Sequence, residues 1–360
     1  MVGSDSKRRN QMSHSTNQIA TNKIALVIGA AGGIGGATAA ALSRHGWTVR
    51  GLTRRPQTGN ATIEWIAGDA MNRADVLRAA QGASLIVHAA NPPGYRNWAT
   101  QVLPMIDNTI AAAKAVGARI VLPGTIYNFG ADAFPVLHED SPQHPSTRKG
   151  AIRAEMEKKL RAAANDGAPT LIVRAGDYFG PKTTGNSVFA AVMVRPGSPV
   201  NRIINPARSG SSHAWAYLPD VGETIAMLMD REDALGDFEV FNFAGHQLSS
   251  GEMPAAIAKA AGKPNLRVWP LPWFAVVALQ PLVRLFREMA EMRYLWSESI
   301  SLDGSKLTAF LGDRLPRTPL DIAVRDTLVG LRCLAPGKRE DGSKNASAGH
   351  DAGSAKRSAT

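Results

Sequence analysis

The chain has 360 residues, of which 44% are hydrophobic, and this is enough apolar material to bury a large core in one large or two closely associated domains. Its formal net charge is +11, but much of that excess lies in the terminal segments 1–23 and 336–360, so the predicted folded part is only mildly basic and no nucleic-acid partner is expected. One cysteine, Cys333, excludes an internal disulfide framework and favours a cytoplasmic location, and the eight histidines lack the spacing typical of metal ligands.

Two terminal segments, 1–22 and 334–360, are predicted to be disordered tails. Both are rich in Ser, Asn, Gly, Ala and Lys and contain almost no large apolar residues, so packing them would not offset the loss of chain entropy. The first tail has no apolar run before Ile24, so we do not interpret it as a secretory signal.

Apolar, β-branched segments alternate with segments of helical length in the first half of the chain. The strand-like segments cover residues 23–30, 48–53, 62–68, 84–90, 119–124 and 170–176. Strands buried on both faces have such continuous apolar runs, and the intervening helices supply the crossovers that parallel strands need. We therefore predict an α/β fold with a doubly wound, mostly parallel Rossmann sheet.

After Gly176 the pattern changes to long loops and short helices. We predict a dinucleotide-binding Rossmann domain over 23–176 and a smaller C-terminal substrate-binding lobe over 177–333, with a return strand near 238–245 that joins the sheet. Such folds bind ligands at the carboxyl edge of the sheet, where this lobe would lie.

One apolar segment, 269–286, resembles a membrane helix in composition. Prolines and Arg284 interrupt it, and its uninterrupted part is about half the length that spans a bilayer. We predict a buried or interfacial helix here and no membrane partner.

The stretch VIGAAGGIGG, residues 27–36, combines a strand end, a turn and a helix start. Gly29, Gly32 and Gly35 have the spacing and position that allow a tight turn, close approach of a pyrophosphate, and close packing of helix on strand. Gly33 and Ile34 belong to the same turn and are included in the predicted dinucleotide site. The alternative is a plain strand–turn–helix with permissive turn residues.

The end of the second strand predicts which dinucleotide binds. NAD-binding sites place an acidic residue there, but this chain has Arg54 and Arg55 and no acidic residue between Gly35 and Glu64. Guanidinium groups suit a 2′-phosphate, so NADP is predicted ahead of NAD. The alternative is that one or both arginines are merely exposed.

The order of motifs over roughly 23–333 resembles the extended short-chain dehydrogenases, the NAD-dependent epimerase/dehydratase group, and specifically their atypical members. After the glycine turn these are AGDA, HAAN, GTIYNFG, RAGDYFGP, WAYLPDVGETI and LDGSKLTAFLG. The resemblance implies that Asp69 and Ala70 border the adenine and that Ala89 and Ala90 line the cofactor path.

The resemblance also implies a catalytic set, which this chain matches only in part. Thr125 matches the family's Ser or Thr, but the Tyr-x-x-x-Lys motif aligns with Lys149 and Arg153, so the phenol is absent. Arg153 can still hold the ribose, and we predict that, if the protein is an enzyme, Lys149 replaces the phenol in proton transfer or substrate binding, with nearby cations favouring its neutral form. Tyr127 and Tyr178, predicted in loops around the same cleft, are alternative proton donors or packing residues.

A second interpretation of this helix remains open from sequence. Ile152, Met156 and Leu160 would form its buried stripe, Arg153 with Glu157 would be a surface ion pair, and Lys149 would be solvated.

The functional expectation is an NAD(P)-dependent oxidoreductase or epimerase/dehydratase-like enzyme. It would act on a hydroxyl or carbonyl carbon of a small molecule, and the resemblance makes a nucleotide sugar one substrate class to consider. The alternative is a non-catalytic NADP-binding or NADP-sensing protein that has lost the catalytic tyrosine. Whether the chain forms a homodimer is left open.

Overall fold

The computed structural model of the protein describes residues 23–55, 62–92, 97–183 and 187–336. The strands are β1 Ile24–Ile28, β2 Thr48–Thr53, β3 Ile63–Ala67, β4 Leu85–His88, β5 Arg119–Gly124, β6 Val136–Leu137, β7 Thr170–Ala175, β8 Asp177–Phe179, β9 Ile203–Asn205, β10 Ser212–Tyr217, β11 Phe238–Phe243, β12 His246–Ser249, β13 Val268–Pro270 and β14 Ser301–Leu302. The α-helices are α1 Gly33–Arg44, α2 Arg73–Ala80, α3 Trp98–Val116, α4 Arg148–Ala164, α5 Leu218–Met229, α6 Glu252–Ala260, α7 Trp273–Leu279, α8 Arg284–Glu291, α9 Tyr294–Ser297, α10 Ser305–Leu311 and α11 Leu320–Gly330.

The central sheet has seven strands in the order β11-β7-β5-β4-β1-β2-β3, and every neighbouring pair is parallel. Strand β1 shows how both faces become covered. Ala25 and Val27 belong to the core on the α1 and α5 side, whereas Leu26 and Ile28 belong to the core on the α2, α3 and α4 side. Burial on both faces is the reason for the continuous apolar strands, and the predicted doubly wound Rossmann fold is confirmed.

Strand order reverses between β1 and β4, because β2 and β3 follow on one side of β1 while β4, β5 and β7 lie on the other. The connections therefore leave in opposite directions at the carboxyl ends of β1 and β4. A crevice forms at such a reversal, and it is the usual ligand position in open α/β sheets.

The chain after residue 176 contributes to both regions. One part of it forms the three-stranded sheet β12-β10-β8, which packs against a second hydrophobic core. Another part completes the Rossmann layers, because α5 packs against α1 and β11 pairs with β7 at the edge of the central sheet. The predicted return strand corresponds to β11. A separate substrate lobe over 177–333 stays a prediction, since part of that segment completes the Rossmann layers.

The apolar segment 269–286 is divided among β13, α7 and α8, with a turn between the two helices. No helix in the described ranges is long and apolar enough to cross a membrane. The predicted disordered tails lie outside the described residues except for 334–336, where the Leu334 backbone N–H donates to the Leu328 carbonyl oxygen over 3.2 Å.

Packing at the start of α1 yields a stability prediction. A Cβ at Gly35 would lie 2.2 Å from the Gly29 carbonyl oxygen, which is backbone and cannot rotate away. We expect Gly35→Ala to lower the free energy of unfolding by about 1–3 kcal/mol in urea denaturation, despite the better helix propensity of alanine. Gly236→Ala is the matched control, because its Cβ would meet only the flexible Glu239 side chain. Equal stabilities of the two variants would contradict this account.

Candidate active site

A cavity of about 870 Å³ opens at the carboxyl ends of β1 and β4, where the strand order reverses. Its lining runs from the glycine turn, past the ends of β2 and β3, to the segments that follow β5 and β7. Thirteen of the residues proposed from sequence line it: Gly29, Gly32, Gly33, Ile34, Arg54, Asp69, Ala70, Ala89, Ala90, Thr125, Tyr127, Arg153 and Tyr178. Gly35, Arg55 and Lys149 are not part of this lining.

The glycine turn is closely packed on one side and open on the other. Gly29 has φ +95°, and a Cβ there would lie 2.6 Å from the Ala89 carbonyl oxygen. Gly35 packs against Gly29, because a Cβ at Gly35 would lie 2.2 Å from the Gly29 carbonyl oxygen. Gly32 is the N-cap of α1, and no side chain in the described ranges caps the helix.

The open side of the turn fits a dinucleotide. Helix α1 begins at Gly33, and Gly33 and Ile34 line the cavity, so the helix end whose backbone N–H groups lack intrahelical partners lies at the cavity wall, an arrangement that can bind phosphate. A Cβ at Gly33 would approach both Leu218 and the Lys182 carbonyl oxygen to 3.1 Å, so a larger residue would narrow the cavity. The residues present therefore fit a pyrophosphate at this turn.

The ends of β2 and β3 form the far end of the cavity. Arg54 is exposed and lines it, whereas Arg55 is exposed outside it. Asp69 lines the cavity half-buried, and its carboxylate accepts a hydrogen bond from the Met71 backbone N–H over 3.0 Å. Only one of the two predicted arginines therefore lies where a dinucleotide can contact it.

Three hydroxyl-bearing residues lie at the opposite end. Thr125 follows β5, and its Oγ1 accepts a hydrogen bond from the Tyr127 backbone N–H over 3.3 Å. Tyr178 lies in strand β8 rather than in a loop, and its hydroxyl donates to the Gly124 carbonyl oxygen over 3.0 Å. Burial raises the pKa of the Tyr178 phenol, and the charge of Asp177 raises it further, while Arg153 opposes the shift.

Arg153 is buried at the cavity wall instead of exposed on the helix surface. Its guanidinium lies over the Trp98 ring, 5.1 Å from the centroid, and its Nη1 approaches the Met156 sulfur to 3.5 Å. His88 lies near Arg153, and its Nδ1 is 2.8 Å from the Thr109 hydroxyl oxygen. Burial lowers the pKa of His88 to about 3, and the positive charge of Arg153 adds a smaller effect in the same direction. His88 is therefore neutral at physiological pH.

Lys149 is buried against carboxylates and not against cations. Its side chain is 3% exposed, and its Nζ lies 2.6 Å from a Glu288 carboxylate oxygen and 2.7 Å from a Glu291 carboxylate oxygen, both on α8. The sequence argument needed cations around this amine, and two carboxylates surround it instead. The premise of that argument is wrong, and the ion pair joins α4 to the C-terminal part of the chain.

The predicted surface ion pair of Arg153 with Glu157 is also wrong. Glu157 is buried and receives a two-pronged contact from Arg174, with nitrogen–oxygen distances of 3.1 and 2.7 Å. Asn128 and Gln143 donate to the same carboxylate over 3.0 and 2.7 Å. This network fixes α4 against β7, so Arg153, one turn before Glu157, faces the cavity.

Sequence reasoning missed one polar pair beside Tyr178. The Asp177 carboxylate lines the cavity, and its Oδ2 lies 2.6 Å from the His213 Nε2. His213 is buried, stacked on Trp296 at a centroid distance of 4.0 Å, and its Nδ1 has no hydrogen-bond partner among the described residues. Asp177 stands in the quoted motif RAGDYFGP, but only the pairing of β8 with β10 brings His213 beside it.

The comparison with known families agrees with this geometry. The model of the "NAD dependent epimerase/dehydratase family" matches residues 25–244, which is more than half of the chain. The chain belongs to that family. The resemblance inferred from the motifs is therefore confirmed.

Solved structures share the fold of this family member. A putative epimerase from Burkholderia cenocepacia J2315 is 21% identical, with a TM-score of 0.69 over 87% of this chain and 99% of that one. The UDP-glucose 4-epimerase from Thermus thermophilus, solved with NAD, is 21% identical, with a TM-score of 0.65 over 86% and 99%. The structure of MoeE5 in complex with UDP-glucose and NAD is 20% identical, with a TM-score of 0.66 over 86% and 98%.

One curated relative carries a named activity. The 3-diazoavenalumate denitrifying reductase of a Streptomyces species is 28% identical over 174 residues, which are 44% of this chain and 57% of the relative. The chain matches less than two thirds of the length of this relative.

The buried His88 yields a pH prediction. Its pKa in the folded protein is depressed, so the unfolded chain binds more protons as the pH falls below about 6.5, and stability is lost on acidification. Between pH 7 and pH 5 we expect His88 to account for a loss of about 2 kcal/mol in the free energy of unfolding. His88→Asn should lack this part of the pH dependence in urea denaturation. Identical losses for the variant and the native chain would refute the assignment.

Proposed function

We propose that this family member is an NAD(P)-dependent oxidoreductase or epimerase-like enzyme acting on a hydroxyl or carbonyl carbon of a small molecule. The observation that carries the proposal is a single cavity that has an uncapped helix N-terminus at one end and Thr125, Tyr127 and Tyr178 at the other. The first end suits a pyrophosphate, and the second offers hydroxyl groups to a substrate oxygen.

NADP is the proposed cofactor. Arg54 reaches the cavity at the end of β2, and among the described lining residues at this end the acidic one, Asp69, follows β3 instead of β2. A guanidinium there is complementary to a 2′-phosphate. NAD is the second possibility, because the MoeE5 and Thermus structures are described with NAD.

The chain's own residues would bind and orient the substrate. Bound at this site, the nicotinamide supplies or accepts the hydride. Thr125 would hold the substrate oxygen, and Arg153 would hold the ribose hydroxyls from the buried side of α4. Tyr127 and Tyr178 are the proposed proton donors, because both line the cavity whereas Lys149 is paired with carboxylates outside its lining.

A nucleotide sugar is the substrate class to test first. UDP-glucose is bound in the MoeE5 structure, and a UDP-glucose epimerase activity is stated for the Thermus protein. A cytoplasmic location follows as part of the same proposal, as the setting in which such sugars and NADP are used.

The cofactor proposal predicts a measurable preference. Charge-assisted contacts are worth about 1.5–3 kcal/mol, so NADPH should bind roughly tenfold or more tightly than NADH in titrations of intrinsic fluorescence. Arg54→Met should abolish the preference, whereas Arg55→Met should keep it, because Arg55 is exposed outside the cavity. A preference for NADH, or equal loss in both variants, would contradict the assignment.

The catalytic proposal predicts the effect of removing one hydroxyl. We expect NADPH absorbance to fall when the protein is mixed with a panel of carbonyl compounds and keto-sugar nucleotides, and Thr125→Val should slow turnover about 10²-fold or more while NADPH affinity stays the same. Tyr127→Phe should have a similar effect. If no compound in the panel is reduced while NADPH binds tightly, the non-catalytic alternative is supported.

A further inference from the structure

The segment 268–283 presents apolar side chains to solvent. Of the nine large apolar residues that are exposed in the described ranges, six belong to this segment: Val268, Trp269, Phe274, Leu279, Leu282 and Val283. Phe274 is 80% exposed and Leu282 is 83% exposed. Exposed apolar residues concentrated in one segment indicate an interaction site for a protein, a membrane or a ligand.

Four of the six exposed residues belong to one helical element, whereas Val268 and Trp269 lie in the preceding strand β13. Phe274, Ala278 and Leu282 are spaced four residues apart, and the helical turn continues past α7 because the Leu282 and Val283 N–H groups donate to the Leu279 carbonyl oxygen over 3.0 and 2.9 Å. Val276, on the other side of α7, is buried. The element is therefore apolar on both sides: its inner side packs on the protein, and its outer side faces away from the protein.

The inner side of this element is already engaged with the protein. The Trp273 indole N–H donates to the Pro206 carbonyl oxygen over 2.8 Å. The following helix α8 is fixed to α4 by the Lys149 pair, and the Tyr294 hydroxyl donates to the Tyr127 carbonyl oxygen over 3.3 Å. The exposed side chains are thus held in place on an anchored element.

Among the charged residues near the segment in sequence, the cations are exposed and the carboxylates point inward. Between residues 263 and 293 the only acidic residues are Glu288 and Glu291, and both carboxylates are directed inward to Lys149. Arg267, Arg287 and Arg293 remain exposed, and the Arg267 guanidinium lies over the Trp269 ring, 3.8 Å from the centroid. Arg287 is 53% exposed, with its Nε 4.0 Å from a Glu288 oxygen. The outer surface therefore combines apolar groups with cations.

We propose that the 268–283 segment and its flanking arginines bind the surface of a bilayer containing anionic lipids. An interfacial helix of this kind buries its apolar side among the acyl chains while Arg side chains contact anionic headgroups. A second copy of the chain fits less well, because a two-fold contact would bring the same cations together. This binding would be peripheral, and it differs from the sequence-based expectation that no membrane is a partner, which stays a prediction.

Vesicle sedimentation tests the proposal with the full-length protein. The native chain should sediment with phosphatidylcholine vesicles that contain phosphatidylglycerol, bind pure phosphatidylcholine more weakly, and dissociate as salt is raised. Replacing Phe274 and Leu282 together by Ser should lower the partition coefficient about a hundredfold, since each side chain contributes about tenfold. Both residues are exposed, so the melting temperature should not change.

The matched control carries Val136→Ser and Ile322→Ser, two exposed apolar residues far from the segment in sequence, and it should bind vesicles like the native chain. Failure of the native chain to bind anionic vesicles would overturn the proposal. Light scattering gives the other decisive outcome: a dimer that the Phe274 and Leu282 double variant converts to monomer, without vesicle binding, would assign the surface to a second copy instead.

Discussion

The contact of main chain with main chain at the end of β1 is the constraint on which the site depends. The missing side chains of Gly29 and Gly35 let β1, α1 and the Ala89 backbone meet at distances that no Cβ could tolerate. Beside this corner the first turn of α1, whose N–H groups lack intrahelical partners, lines the cavity. The switch in strand order then places the ends of β4, β5 and β7 around the same opening.

Helix α4 shows how one element can serve the cavity and the packing of the chain at once. Arg174 and Glu157 form a buried ion pair in which the guanidinium donates two hydrogen bonds to the carboxylate. Asn128 and Gln143 donate to the same carboxylate, so its charge is fully hydrogen-bonded, which is the condition under which a buried ion pair is tolerated. This pair sets the rotation of α4. Arg153 consequently faces the cavity, and Lys149, one turn earlier, faces α8.

The sequence allowed prediction of those features that depend on local spacing. The parallel sheet follows from apolar runs, and the glycine turn follows from three positions next to a strand end. The partners of Lys149 could not be predicted, because Glu288 and Glu291 lie about 140 residues further along the chain and only tertiary packing brings them together. The same holds for Asp177 and His213, and for the burial of Glu157, which a helical wheel assigned to the surface.

A crystal structure of the protein grown with NADPH tests the central claim most directly. The account predicts one dinucleotide per chain, with its pyrophosphate within hydrogen-bonding distance of the backbone N–H groups at Gly33 and Ile34 and its nicotinamide end beside Thr125. It also predicts that the 2′-phosphate contacts Arg54. Density for the dinucleotide elsewhere, or bound with its two ends reversed in the cavity, would contradict the assignment of the glycine turn and with it the proposed function.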